Sequence, residues 1–514
     1  MFCIKKFKRS FRMDVKFDIV IIGSGLGGLS AGAYLAKNGK KVLVLEQHSL
    51  IGGCATCFKR KGVLIDAGLH EMDLGEAKTD MKHLVFEKLG IKNKIEILPL
   101  PSAWSIKSKN YNLTLPHGIE KVKEVLKKEF PQECKGIDKY FNAIRLQAYS
   151  VRRFPWDMSF MELFLFPFTT AWIFLKNKIT NKKVYDVLNS YIKSDKLKKI
   201  LNANLSYYHH DSKEFIFSFH GIAQKHYYDG GVYIKGGSQA LSNALAAVIK
   251  ENQGHVLAKA EVVKILTKDQ KVYGVEYIQN NQKHTIHAQN IIANCDPLIV
   301  YKDLLKDLNL IQEIKAIESK KRACSLVSAY FIYDEDISKI YENIDYCNFI
   351  FEDDFLNSSY ENTNILKLDI KKRPMAFVNY SKIDSGLASD KYIGVVAFSS
   401  KYSEWDLNKQ DYQAKKEEVL KAIVQRLDEI FPNLSSYLIH QELATPKTIQ
   451  KYTKAYEGTI YGFSQDQEGA KYRLHYKSKS IENLYFANAF IFPGGGFTGA
   501  ILGGYFCANK MNFH

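Results

Sequence analysis

The run Gly23-Ser24-Gly25-Leu26-Gly27-Gly28, with a lone acid at Glu46 beyond it, has the residue types and spacing to hold a dinucleotide. Gly23 suits a tight turn, Gly25 lets a diphosphate approach the backbone, and Gly28 lets a helix pack closely on a strand. A helix opening at this run offers free N–H groups and the positive end of its dipole to the phosphates. Glu46 can accept hydrogen bonds from a ribose diol. Gly52-Gly53 follows shortly after and lets the chain run along the diphosphate and ribityl chain of FAD, a feature that an NAD site does not need.

The elements that must position these residues can be read around them. Phe17 to Ile22 is continuous and apolar, as a fully buried strand should be. Leu29 to Asn38 carries helical apolar spacing, and Gly39 follows as a terminating glycine. Val42 to Leu45 is the next strand, with Glu46 at its end. Further on, Lys235-Gly236-Gly237-Ser238 opens a helix running to about Glu251, and strands are expected near 260–267, 271–278 and 282–293. Near the other end of the sequence, Leu484 to Ala487 reads as a strand and Pro493-Gly494-Gly495-Gly496 as a bend. Thr498 opens a last helix through about Met511. The amino terminus of that helix, with Gly495, Gly496 and Thr498, would face the flavin's pyrimidine edge.

Composition bounds the rest. The chain has 514 residues, 46% hydrophobic and 25% charged, enough for a sizeable core and more than one domain. The net charge of +17 comes from scattered lysines with no nucleic-acid-binding motif, so nucleic acid is not expected as a partner. Eight cysteines are too few for a disulfide framework in a chain of this length. The basic opening Met1 to Arg9 lacks a secretory apolar core, so a cytoplasmic, reducing location is expected. Cys54-Ala55-Thr56-Cys57 has the spacing of a redox or metal pair, but no second close pair completes a metal site. Packing near the cofactor is the plainer role.

These motifs together resemble the FAD signature shared by amine oxidases and phytoene desaturases. Leu45-Glu46-Gln47-His48, Gly52-Gly53-Cys54 and Ile65-Asp66-Ala67-Gly68-Leu69-His70 look most like retinol saturases and their bacterial relatives, within the phytoene desaturase and carotenoid isomerase superfamily. The resemblance extends in motif order through Lys235 to Ser238, Gly458-Thr459-Ile460-Tyr461-Gly462 and Pro493 to Gly496. It implies an α/β fold: a discontinuous Rossmann-type FAD-binding domain made of 14–75, 230–300 and 480–514. An α+β substrate domain would be built from 76–229 and 301–479. It implies that Gln47 sits with Glu46 at the nucleotide, and that backbone near Val262 meets the adenine. The family usually carries glycine where Asn488 stands, so an Asn488 contact to the ribityl chain is a departure.

The implied chemistry is hydride transfer at a conjugated carbon–carbon bond of a polyene or isoprenoid lipid, with an electron donor or acceptor that the motifs do not name. His70, Glu71 and Tyr461 are the candidate proton-handling groups. Phe160, Leu163, Phe164, Phe166, Phe168 and Trp172 crowd one short stretch flanked by Arg152, Arg153, Lys176, Lys178, Lys182 and Lys183. As a helix, Leu163 to Leu175 would rise only about 20 Å, short of a ~30 Å hydrocarbon core, and Pro167 interrupts it. Residues 152–183 are therefore expected either to lie on a membrane surface or to form a buried helix of the substrate domain. A flavin amine oxidase acting on a soluble amine, and a non-catalytic lipid carrier on the same fold, are the competing readings. A yellow purified protein would exclude the carrier.

Overall fold

The structure is a computed structural model that describes residues 16–68, 70–74, 81–151, 161, 164–165 and 182–511. The expected membrane-facing stretch 152–183 lies outside the described residues except for Met161, Phe164, Leu165, Lys182 and Lys183.

Two seven-stranded sheets organise the molecule. The first runs in the order Glu261–Lys268, Lys271–Gln279, Gln282–Ala293, Phe17–Ile22, Val42–Leu45, His255–Leu257, with Leu484–Phe486 paired beside Gln282–Ala293. Its parallel part holds the strands from 17, 42, 255 and 484 and the far half of 282–293. Phe17–Ile22 and Val42–Leu45 are buried along nearly their whole length because the 26–37 and 237–251 helices cover one face of the parallel sheet and the Glu261–Gln279 hairpin with the 298–305 turn covers the other. Continuous β-branched and leucine runs are what such a position selects. The amino-terminal, middle and carboxy-terminal stretches of the sequence thus meet in one sheet.

The Leu26–Lys37 helix packs against Phe497–Asn509 from the other end of the sequence. Small residues make that crossing close. The Ser30 hydroxyl donates to the Ile501 carbonyl at 2.7 Å, and a Cβ on Gly504 would strike the Gly27 carbonyl. The last helix begins at Phe497, one residue before the position read from the sequence, because Gly496 at φ 85° breaks the helical path immediately ahead of it.

The second sheet runs Leu438–Ala444, Ser325–Tyr333, Tyr392–Ser400, Met375–Asn379, Cys347–Ile350, Trp104–Ser108, Tyr111–Leu115. Strands from 104–115 and from 325–444 therefore share one sheet. A helical group that includes Ile119–Glu129, Cys134–Val151, Val184–Tyr191 and Phe217–Gly230 packs nearby. Among the described residues, no helix is long and apolar enough to cross a membrane.

Candidate functional site

A cavity of about 2100 Å³ lies between the two sheets, with the glycine runs on one wall. That exceeds the roughly 300–1,000 Å³ of an ordinary ligand site, so it has room for a dinucleotide and a second molecule.

Gly23, Gly25, Gly27, Gly52, Gly53, Gly495 and Gly496 line this cavity. Gly25 caps the Leu26–Lys37 helix with no side-chain cap, and the first turn carries no acid. Its leading N–H groups and dipole are left for an anion. Gly52 is bridged to Gly25, and the Gly52 N–H donates to the Ser24 carbonyl at 3.0 Å, which fastens the second glycine pair to the first. Gly28 does not line the cavity: a Cβ there would lie 2.5 Å from the Gly23 carbonyl, so its bareness serves helix–strand packing.

Glu46 stands at the end of its strand, 6% exposed. Its Oε2 accepts from the Ser24 N–H at 2.8 Å and the Ser24 hydroxyl at 2.6 Å, and its Oε1 accepts from the His48 N–H at 2.8 Å. A carboxylate has about four acceptor sites, so one remains for a diol. Glu46 therefore shapes the glycine turn as well as lining the cavity. Gln47 is half-buried and donates to the Tyr452 carbonyl at 3.3 Å. Val262 flanks the same end of the cavity, beside an irregularity in its strand register.

Sequence reasoning missed the residue that ties the wall together. A Cβ on Gly25 would come within 2.5 Å of the Asn294 Oδ1, and one on Gly28 within 2.9 Å of the Asn294 Cβ. The Asn294 amide donates to the Ala487 carbonyl. One side chain thus touches all three segments of the parallel sheet. The signal was a polar residue directly after the short apolar end, Ile291 to Ala293, of its strand. The contact also changes the expected effect of enlarging Gly25, because the added atoms meet Asn294 before they meet any ligand. Asn488 is 5% exposed, and its side chain is occupied: the amide donates to the Cys295 carbonyl at 2.9 Å and its oxygen accepts from the Phe490 N–H at 3.0 Å.

At the other end, Gly495 packs against the Tyr461 backbone so closely that a Cβ would overlap it. Gly496 caps the last helix without a side-chain cap and with no acid in the first turn, so a second helix amino terminus is left open to the cavity. The Thr498 hydroxyl donates to Asp73 Oδ1 at 2.6 Å, and Asp73 is also paired with Lys82 at 3.2 Å. Burial alone would raise the Asp73 carboxyl, but the charges of Lys82 and His226 and the hydrogen bonds from Thr498 and Lys82 hold it below its ordinary value.

His70, Glu71 and Tyr461 all line the cavity. His70 Nδ1 lies 3.3 Å from the Tyr380 hydroxyl, and burial lowers its pKa to about 4, so the ring is neutral. Glu71 is 8% exposed, and neither carboxyl oxygen has a hydrogen-bond partner among the described residues. Burial first, then the nearby Asp73 charge, push its carboxyl well above the ordinary range. Burial likewise raises the Tyr461 phenol. Cys54 and Cys57 are both free thiols, and Cys57 is buried against Gly236 and Gly237. Asp66, fully buried, accepts from the Ser238 N–H and hydroxyl at 2.8 and 2.6 Å and so fixes the start of the Gly237–Glu251 helix. An apolar and aromatic part of the cavity wall is formed by Tyr207, Phe215, Phe219, Ile222 and Tyr227 on one side and Leu326, Tyr330 and Phe398 on the other.

The family model described as flavin containing amine oxidoreductase matches residues 26–512. The chain is 27% identical to the all-trans-retinol 13,14-reductase of Danio rerio, over 97% of this chain and 86% of that protein. It is 26% identical to the chloroplastic prolycopene isomerase of Daucus carota, over 96% of this chain and 80% of that protein. A putrescine oxidase variant redesigned at its cofactor site superposes with a TM-score of 0.62 at 13% identity, covering 96% of this chain and 98% of its own; at that identity it speaks for the fold alone.

Proposed function

From the premise that the chain belongs to the flavin-containing amine oxidoreductase family, we propose that it is an FAD-dependent oxidoreductase that acts on a conjugated carbon–carbon bond of a polyene or isoprenoid lipid. FAD is its cofactor, and the residues present fit that group. Two helix amino termini with no acid in their own first turns open to the cavity, and the glycines lack the Cβ atoms that would fill the cradle. The backbone at Gly25 to Gly27 and Gly52-Gly53 would hold the diphosphate, Glu46 and Gln47 the ribose end, and Val262 the adenine. Gly495, Gly496 and Thr498 would face the flavin ring. Bound flavin supplies two-electron chemistry. The protein's own contribution is to orient an apolar chain in the aromatic part of the cavity, exclude water, and handle a proton at His70, Glu71 or Tyr461.

The observation that carries this reading is the near full-length similarity to two proteins named for retinol and prolycopene, joined to a cavity large enough for a second, apolar ligand. A soluble amine needs neither so large nor so apolar a chamber. The test is to incubate the purified yellow protein, oxidised and reduced, with all-trans-retinol, prolycopene and putrescine and to separate the products by chromatography. A saturated, desaturated or isomerised polyene is expected. Turnover of putrescine alone would make the amine reading correct.

The substrate's insolubility in water favours delivery from a bilayer, and residues 152–183 join apolar and basic residues in the way a surface-lying segment requires. Met161, Phe164 and Leu165 are exposed, as is Leu84 on the cavity wall. Sedimentation with anionic liposomes is expected. Replacing Phe164, Phe166 and Trp172 with Ser should release the protein while FAD stays bound, and a triple variant that loses flavin would place the segment in the core instead.

A further inference from the structure

We propose that Glu71, a carboxyl group on the cavity wall with no hydrogen-bond partner for either oxygen among the described residues, is the site's proton donor, and that the chain is consequently built to saturate a polyene rather than to desaturate it. The inference rests on the polyene reading above and deepens it by giving the direction of the reaction.

The geometry of the neighbourhood separates two acids that stand close in sequence. Asp73 has a lysine, a threonine hydroxyl and a nearby histidine to stabilise its charge. Glu71 has none of these. Its Oε1 lies in the space that a side chain on residue 231 would fill, against bare Gly231. The titratable groups facing it are Asp73 from its own segment, Tyr207, Tyr227 from the Phe217–Gly230 helix, and Tyr346 and Cys347 beside and in the Cys347–Ile350 strand. Burial keeps the three tyrosines and the cysteine protonated and neutral, whereas Asp73 rests as an anion. Nothing among them stabilises a Glu71 carboxylate, and the Asp73 charge opposes one. Two carboxyl groups pushed to opposite protonation states are the signature of an acid set apart from a charge holder.

The other candidates at the wall do not fill this role. His70 is a neutral imidazole engaged with Tyr380, and the Tyr461 phenol is a far weaker acid than a carboxyl. Asp73 rests ionised and has no proton to give. A resting acid is the form needed for reduction. Reduced flavin, when bound, would supply a hydride with both electrons to one carbon of the conjugated double bond, and Glu71 would give its proton to the other. The carbon–carbon single bond and oxidised flavin would then balance, and water would restore the proton of the Glu71 carboxylate. A two-electron reductant must then reload the flavin; dithionite serves in vitro. Desaturation would need Glu71 to start as a base, the state that its surroundings disfavour.

The experiment uses the full-length holoprotein, reduced with dithionite under anaerobic conditions, with all-trans-retinol or prolycopene in detergent micelles. Single-turnover saturation should be fast in the parent at neutral and acidic pH and fall as pH rises through the raised Glu71 value. Glu71→Gln should lose about 10²- to 10⁴-fold and flatten that dependence, with flavin content unchanged. Glu71→Asp, which keeps the acid, should recover part of the rate. Infrared spectra, which do not depend on turnover, should show a protonated carboxyl band at neutral pH that Glu71→Gln removes. A parent active on a polyene with an equally active Glu71→Gln overturns this proposal alone, as does the absence of that infrared band. A parent inactive on both polyenes overturns the polyene reading and this proposal with it.

Discussion

The two sides of the cavity are built on opposite principles. On the nucleotide side nearly every polar group has a partner: Glu46 accepts three hydrogen bonds, Asn294 bridges to Ala487, and Asn488 is held by Cys295 and Phe490. On the reading proposed above, recognition there would fall to backbone N–H groups and to missing Cβ atoms. Across the cavity, Glu71 has no hydrogen-bond partner among the described residues and His70 is driven neutral by burial. A site that must hold a fixed group gains from satisfied, rigid geometry. A site that must move a proton gains from a carboxyl whose two states are close enough in energy to exchange. The contrast teaches that a buried polar group without a partner has a functional meaning only when its neighbours have been satisfied.

Three experiments can break or sharpen the contrast, and the largest effect should come from the rigid side. Gly504→Val would drive side-chain atoms into the Gly27 carbonyl at the crossing of the two helices that face the cofactor. Overpacking of this kind costs about 1–3 kcal/mol and more where backbone is struck. The variant is expected to be colourless or insoluble, read from the flavin absorption spectrum and the melting temperature. A normal yellow protein would mean that the crossing tolerates being spread. Glu46→Gln should be milder. It keeps the shape but loses charge-assisted acceptance from Ser24 and His48 and toward the ribose, worth about 1.5–3 kcal/mol. FAD affinity should fall by roughly tenfold to a hundredfold, and an unchanged dissociation constant would remove Glu46 from the ligand's contacts.

The smallest effect tests the soft side through stability. A carboxyl whose folded pKa is raised takes up more protons folded than unfolded, so its contribution is fully present below the ordinary carboxylate value and is lost as pH climbs toward the raised one. Glu71→Gln cannot ionise and escapes that loss. Its melting temperature should match the parent's in acid and exceed it increasingly toward alkaline pH. A gap that does not change with pH would show that Glu71 is no more burdened by burial than an exposed acid.

The same contrast explains what could be read from the sequence. The glycine turn, the flanking strands and the Gly237–Glu251 helix are local: each follows from a few neighbouring residues whose backbone demands are visible in their types. The carboxy-terminal helix was legible for the same reason, and its start differed by one residue because Gly496, not Thr498, decides where it begins. What stayed hidden depends on partners remote in the chain. Asp73 meets Thr498, Asp66 serves Ser238, and Asn294 sits under the amino-terminal glycines. His70, Glu71 and Tyr461 could be named as titratable residues at suggestive places, but their protonation states are set by burial that only the folded packing defines.

The strand Leu484–Phe486 lies beside Gln282–Ala293, and Asn294 is fastened to Ala487, so the first glycines complete their cradle only against chain made much later. During synthesis, a ribosome that has finished the Phe17–Ile22 strand still has the whole Phe497–Asn509 helix to make. The nascent chain must carry an exposed, unfinished parallel sheet through that interval, and contacts of such sequence separation form slowly. A simple assay follows. Yellow colour in a translation mixture counts chains completed through the final helix, since a fragment stopped before it has no second wall on which to hold the cofactor.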